Sequence, residues 1–324
     1  MPSTVLILGA RGRFGLAAAR AFADAGWCVL GHMRPGAQVP AEVAHDERIQ
    51  WLACDLGDAT ALCQAALGAT VVVHALSPAY THKAWQAEVL AMADAALEVA
   101  RTLNATLMVV ANVYNFGAEM PALLREDTPQ NARTVKGQIR IAMENRLRTS
   151  GVRTIVIRAG DFFGSGSGTW FDQVIAKDLR KGVFAYPGSP DVPTAWAYLP
   201  DLARTFVAVA ARRAQLGSFE VLHFAGFSLT GAQWLETLTP LARAHGWILP
   251  GSSLTFRRMP WPIIRLGALF NATWAALLEM RYLWNTPHAL DNTKLQGLIG
   301  PEPHTDLDRA AHGTLEQLGL LSGL

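Results

Sequence analysis

The chain is short of cysteine, of charge and of long apolar runs, and each shortage removes a class of function. Its 324 residues hold three cysteines, Cys28, Cys54 and Cys63. Their spacing is neither that of a zinc site nor of a disulfide framework, so they read as reduced, mostly buried thiols of a cytoplasmic protein. Charged residues make up 17% of the chain, 28 basic against 26 acidic, for a net charge of +2. That balance offers no polyanion-binding surface and argues against nucleic acid as a partner. No His/Cys/Asp cluster has metal-ligand spacing and there is no Gly-x-Ser-x-Gly elbow, so neither a metal centre nor a serine hydrolase is expected.

The longest apolar stretch, Leu266 to Leu278, is broken by Asn271 and bounded by Arg265 and Glu279. It is too short and too punctuated to span a bilayer. It reads as a helix packed over a pocket or core, and no membrane partner is expected; the competing reading is a membrane-surface or partner helix with Trp274 and Leu277 exposed. The first residues run straight into a strand, without the basic, apolar and cleavage-site succession of a secretory leader. The length suits one large domain or two that share a chain.

What is present is organised around Thr4 to Arg20. Val5–Leu8 leads into Gly9-Ala10-Arg11-Gly12-Arg13-Phe14-Gly15 and then an alanine-rich helical pattern. Three glycines spaced three apart allow a sharp turn, a close approach of phosphate to backbone amides, and tight packing of helix on strand. The helix start after Gly12 offers unpaired N–H groups to an anion. The second strand, Val29–Leu30, is followed by Gly31-His32-Met33-Arg34, with no carboxylate to hold an adenosine ribose. Arg34 and Arg11 are suited instead to a 2′-phosphate, which favours NADP(H) over NAD(H).

Alternation continues with strands at Ile49–Ala53, Ala69–Ala75, Thr106–Ala111 and Thr154–Arg158, and helices near Asp58–Leu67, Thr81–Leu103 and Arg133–Thr149. The pattern predicts an α/β, Rossmann-like doubly wound parallel sheet. Asp55, at a strand's carboxyl end, reads equally as an adenine contact or as a turn or helix-start aspartate. Gly160 to Gly168 reads as a loop. Beyond it, Trp170–Lys181 looks helical, Val183–Tyr186 and Ala195–Leu199 extended, and Pro200–Arg213 helical. Phe219–Phe224 reads as a strand closing the sheet, followed by helices at Leu229–Ala244, Pro262–Leu283 and Asp306–Leu318. Residues 1–158 with about 199–225 would form the dinucleotide-binding domain, and about 159–198 with 226–324 a smaller substrate lobe over the sheet's carboxyl edge.

Taken in order, Gly9-x-x-Gly12-x-x-Gly15, Cys54-Asp55-Leu56, Val71–Ala75, Asn112-Val113-Tyr114, Arg158-x-Gly160-x-x-x-Gly164 and Asp201-Leu202-Ala203 resemble the extended short-chain dehydrogenase/reductases, the NAD(P)-dependent epimerase/dehydratase group. The resemblance implies NAD(P) bound near Gly9, Gly12, Gly15 and Asp55, with Arg11, Arg13, Phe14, Arg34, Leu56, Ala75 and Asn112 as further cofactor candidates. It also implies nucleotide sugars or small carbonyl and hydroxyl compounds as substrates.

That family's chemistry depends on a Tyr-x-x-x-Lys pair, and none of the five tyrosines here is followed four positions later by lysine. The best match puts Lys136 at the tyrosine position and Arg140 at the lysine position, while the strand that should end in a hydroxyl carries Val110 and Ala111. Lys136 and Arg140 lie four apart on one helical face, reading either as cleft residues or as a solvated basic face. Tyr114 is the substitute acid, competing with a packing role. His74, Tyr80 and Tyr282 read first as structural. The expectation is an NADP(H)-binding oxidoreductase or epimerase-like enzyme with atypical catalytic residues Tyr114, Lys136 and Arg140, acting on a small-molecule substrate. A catalytically silent dinucleotide sensor is the alternative. A homodimer is left open.

Overall fold

The computed structural model describes residues 3–321. The apolar runs form seven strands: β1 (Thr4–Leu8), β2 (Cys28–Met33), β3 (Ile49–Ala53), β4 (Ala69–His74), β5 (Thr106–Ala111), β6 (Thr154–Arg158) and β7 (Phe219–His223). They lie side by side in the order β3-β2-β1-β4-β5-β6-β7, every neighbouring pair parallel. The chain winds outward from β1 to β3, then restarts at β4 on the other side of β1. This is the Rossmann-like doubly wound sheet, and the reversal opens a crevice at the carboxyl ends of β1 and β4.

The central strands β1, β4, β5 and β6 are mostly apolar because both faces are covered. Leu6, Leu8, Val72, Leu107 and Val109 turn one way, onto a cluster that includes Trp85, Val89, Ala93, Met143 and Leu147. Val5, Ile7, Val71, Val73 and Met108 turn the other way, onto Phe14, Ala18, Phe22, Phe206 and Val209. The first layer is built by α2 (Ala59–Ala65), α3 (His82–Thr102) and α4 (Val135–Arg148), the second by α1 (Arg13–Asp24) and α5 (Leu199–Arg212). Asp58, Thr81 and Thr134 cap α2, α3 and α4 through their side-chain oxygens.

The rest of the chain packs on the carboxyl edge. It contains α6 (Gly231–Ala244), α7 (Trp261–Gly267), α8 (Ala272–Glu279) and α10 (Leu307–Gln317), whereas α9 (Thr293–Ile299) returns to the sheet and packs beside α5 through Leu295. Its core is aromatic: Phe163 meets Trp234 edge-on at 5.2 Å between ring centres, and Trp234 meets Trp196 at 5.4 Å.

Several expectations need correction here. The glycine-rich segment at 160–168 is not all loop: Asp161–Phe163 pairs in parallel with the strand Thr194–Tyr198. Gly160 permits this, since a Cβ there would meet the Ala195 carbonyl at 2.2 Å. Trp170–Lys181 is not one helix but a wide π-turn at Phe171–Ile175 and a tight turn at Leu179–Lys181. The Asp172 carboxylate, taken up by the Gly168 and Thr169 N–H groups, pins the start of that segment. The helix expected over Pro262–Leu283 is split into α7, α8 and a 3-10 turn, because the Asn271 side chain accepts from the Thr273 and Trp274 N–H groups and begins a new helix. Leu229 ends a short strand, and Thr230 with Gln233 makes the capping box that starts α6. Cys63 is buried but Cys28, the first residue of β2, is exposed; all three thiols are free. Among the described residues no helix is long and apolar enough to cross a membrane.

Candidate active site

After β1 the chain turns at Gly9, whose φ of 82° belongs to the left-handed region. A Cβ there would lie 3.0 Å from the Ala75 carbonyl group, and one on Gly15 would lie 2.2 Å from the Gly9 carbonyl oxygen. Gly12 donates its N–H to Gly9 O at 2.9 Å and precedes α1, which has no side-chain cap and no acidic residue in its first turn. The result is a bare helix start, with free N–H groups and the positive end of the helix dipole, beside a backbone surface that no side chain screens.

A cavity of about 630 Å³ runs from this turn along the carboxyl edge of the sheet. Gly9, Arg11, Gly12, Arg13, Phe14 and Arg34 line one end, Ala75 and Asn112 the middle, and Tyr114 and Arg140 the other end. Ten sequence candidates thus share one space. Arg11 and Arg34 are exposed, and their guanidiniums make no hydrogen bond or ion pair among the described residues, so both are available to an anion. Arg13 is engaged: its Nη1 donates to Ser167 O at 3.1 Å, and its own carbonyl accepts from Ser165 Oγ at 2.9 Å. Asn112 spends its side-chain oxygen on the Tyr114 N–H at 3.2 Å, leaving its amide donors to the cavity.

Gly15, Asp55, Leu56 and Lys136 do not line the cavity. Gly15 lies beneath the turn and acts by its lack of a side chain. Asp55 is exposed beyond β3 and accepts the Gly57 N–H at 2.8 Å. Lys136 is fully buried behind the cavity wall, its ammonium 4.5 Å from the Tyr80 ring centre and 5.5 Å from that of Trp85. Its charge faces Glu279 at 3.6 Å, and burial lowers its pKa. One turn further along α4, Arg140 does reach the cavity and stacks its guanidinium 5.0 Å over Trp85.

The far end of the cavity is an aromatic box that the sequence left mostly unmarked. Tyr114 stacks on Trp85, ring centres 5.9 Å apart, and Tyr80 meets Trp170 edge-on at 5.2 Å. Asp161 enters the same space and accepts the Trp284 indole N–H at 2.8 Å. Burial pushes the Asp161 carboxyl up to about 6, against the pull of that hydrogen bond. Burial likewise pushes the Tyr114 phenol up to about 12, with the nearby Asp161 charge adding to it and Arg140 opposing. His74, at the end of β4, is held neutral by burial and by Arg140, down to about 4, and accepts the Leu76 N–H. His32 also lines the cavity, with Nε2 3.1 Å from Cys54 O; it, Trp85, Asp161 and Trp170 are the site residues that sequence reasoning missed.

The Cβ-free turn, the uncapped helix start and the two unpaired guanidiniums fit a dinucleotide, whose phosphates would lie at that end of the cavity. Among the described residues no three His, Cys, Asp or Glu side chains are grouped to hold a metal ion.

Comparison with solved structures finds the same fold over whole chains. A Burkholderia cenocepacia J2315 protein provisionally assigned as an epimerase superposes with a TM-score of 0.77 at 17% identity, covering 99% of each chain. The UDP-glucuronic acid 4-epimerase of Bacillus cereus, solved with NAD, gives 0.74 at 15% identity over 99% of this chain and 100% of that one. The L-threonine 3-dehydrogenase of Trypanosoma brucei gives 0.73 at 18% identity over 100% and 99%. A comparison with curated protein sequences returns no match. The sequence model of the RmlD substrate binding domain matches residues 3–237, most of the chain. With the glycine turn, the doubly wound sheet and the carboxyl-edge cavity in place, the chain belongs to the RmlD substrate binding domain family, within the extended short-chain dehydrogenase/reductases.

Proposed function

We propose that the protein is an NADP(H)-dependent oxidoreductase of the epimerase/dehydratase kind that acts on a small or sugar-like carbonyl or hydroxyl compound. The observation that carries this reading is the continuity of one cavity from the bare glycine turn, with Arg11 and Arg34 beside it, to the box holding Tyr114, Arg140 and Asp161. The Bacillus epimerase was solved with NAD, which supports a nicotinamide dinucleotide in this fold. Preference for the phosphorylated form rests on the two unpaired arginines and on the lack of a carboxylate at positions 31–34.

A dinucleotide held in the cleft would supply or accept the hydride. The chain's own residues would manage the proton. Tyr114, protonated at neutral pH, is the donor to a carbonyl oxygen, and Arg140 is the fixed positive charge beside it. With its phenol protonated at neutral pH, Tyr114 can give a proton to the oxygen of a carbonyl that receives a hydride, and the proposed direction is carbonyl reduction. Lys136, walled off by Tyr80 and Trp85, would support the box from behind.

The test is NADPH oxidation followed with a panel of carbonyl compounds and nucleotide sugars. Tyr114→Phe is expected to lower turnover by about a hundredfold or more while dinucleotide affinity is kept. The raised phenol and the absent ammonium favour a second reading, a catalytically silent dinucleotide sensor. Tight NADP(H) binding without turnover on any member of the panel would select it.

A further inference from the structure

We propose that the α7–α8 hairpin is a docking surface for an anionic phospholipid bilayer, lying on the membrane without crossing it. One side of the hairpin is packed: Ile264 and Leu277 are buried against Trp284, with Trp170, Met259 and Trp261 beside them. The other side is bare. Ile263, Leu266, Leu269 and Phe270 are exposed, Leu269 at 74% and Phe270 at 91%, with Trp274 at 37%. Isolated exposed apolar residues are ordinary, but this many on one hairpin make a patch that water disfavours.

Charge selects the occupant. From Phe256 to Leu278 the chain carries Arg257, Arg258 and Arg265 and no carboxylate. Arg257 is paired with Asp178, whereas Arg258 and Arg265 are exposed without partners among the described residues. The first acid after them, Glu279, is turned inward to His82, Lys136 and the Val135 N–H. An apolar tip with the unpaired Arg265 on its own helix, Arg258 at the root of the hairpin and no acid along it matches the boundary of a negatively charged leaflet, where apolar side chains enter the acyl region and guanidiniums meet phosphate. A second copy of the chain would bring the same arginines against each other.

The hairpin is continuous with the cavity: Thr273 on α8 and Trp170 beneath it are both cavity-lining residues. Docking through this tip would therefore place the cavity close to the membrane surface. The sequence expectation of no membrane partner is set aside by this proposal.

The experiment is co-sedimentation of the full chain with vesicles of phosphatidylcholine alone or mixed with phosphatidylglycerol, which needs no cofactor or turnover and so stands apart from the proposed activity. Binding is expected to the mixed vesicles, to weaken in high salt, and to fall about tenfold for Phe270→Ser and again for Leu269→Ser. Arg265→Glu should weaken it on anionic vesicles alone. Thermal unfolding of each variant should match the parent, since these side chains pack against nothing. Failure to bind either vesicle, or equal binding by Phe270→Ser, would overturn the proposal. So would a concentration-dependent dimer in ultracentrifugation that Phe270→Ser dissolves without any vesicle binding, which would assign the patch to a second copy.

Discussion

The Asp161 carboxylate, which lines the cavity beside the aromatic box, accepts the Trp284 indole N–H at 2.8 Å. The hydrogen bond favours the ionised form but burial outweighs it, so the carboxyl titrates at about 6, against an ordinary value of 3.8. An acid whose pKa rises on folding binds its proton more tightly in the native state, so stability declines as pH climbs from about 4 through 6. Asp161→Asn removes that penalty. The variant should gain on the order of 1–3 kcal/mol over the parent at pH 8 and nothing at pH 3.5, measured by urea denaturation at both. An equal difference at the two pH values would mean that the carboxyl is not the titrating group.

Arg34→Ala tests phosphate selection. Loss of a charge-assisted contact should weaken NADP(H) binding about ten- to a hundredfold and NAD(H) binding by about twofold or less. Fluorescence titration with both nucleotides reads the ratio, and equal losses would remove the case for the 2′-phosphate.

Lys136→Met separates a proton donor from a structural support. The ammonium is buried under two rings and faces Glu279, so its removal leaves that carboxylate short of one partner while His82 and the Val135 N–H remain. Stability should fall by about 1–3 kcal/mol. Turnover should fall less than about tenfold, where loss of a direct proton donor would cost about a hundredfold or more.

Gly15→Ala probes the turn itself. Its new Cβ would meet the Gly9 oxygen at 2.2 Å, backbone against backbone, with no side chain able to yield. Destabilisation of about 2 kcal/mol or more and loss of nucleotide affinity are expected together. Calorimetry with and without NADPH reads both effects.

The sheet was legible because its central strands are buried on both faces: Leu107–Ala111 and Ile155–Ile157 are continuous apolar runs, and the ends expected for Ile49–Ala53, Thr106–Ala111 and Thr154–Arg158 match the structure to the residue. The glycine-turn end of the cavity was legible for a local reason, since Gly9 to Gly15 and Arg34 belong to one βαβ unit. The far end was not. Asp161 sits in a glycine- and serine-rich stretch that becomes strand only by pairing with Thr194–Tyr198. Lys136 and Arg140 share a helix face, and only the placement of Tyr80 and Trp85 decides that the longer side chain one turn later reaches the cavity. Glu279, which holds Lys136, comes from the far end of the chain. A signal for Tyr80 existed in its position just after β4, on the ligand side of the sheet.

Arg13 and the loop at Ser165–Ser167 have a mechanical meaning beyond their hydrogen bonds. They join the nucleotide turn to the opposite lobe through two contacts made largely by backbone carbonyls. Each such bond contributes about 0.5–1.5 kcal/mol net. A change at the turn therefore has a direct hydrogen-bonded route to the 165–167 loop, through both ends of Arg13.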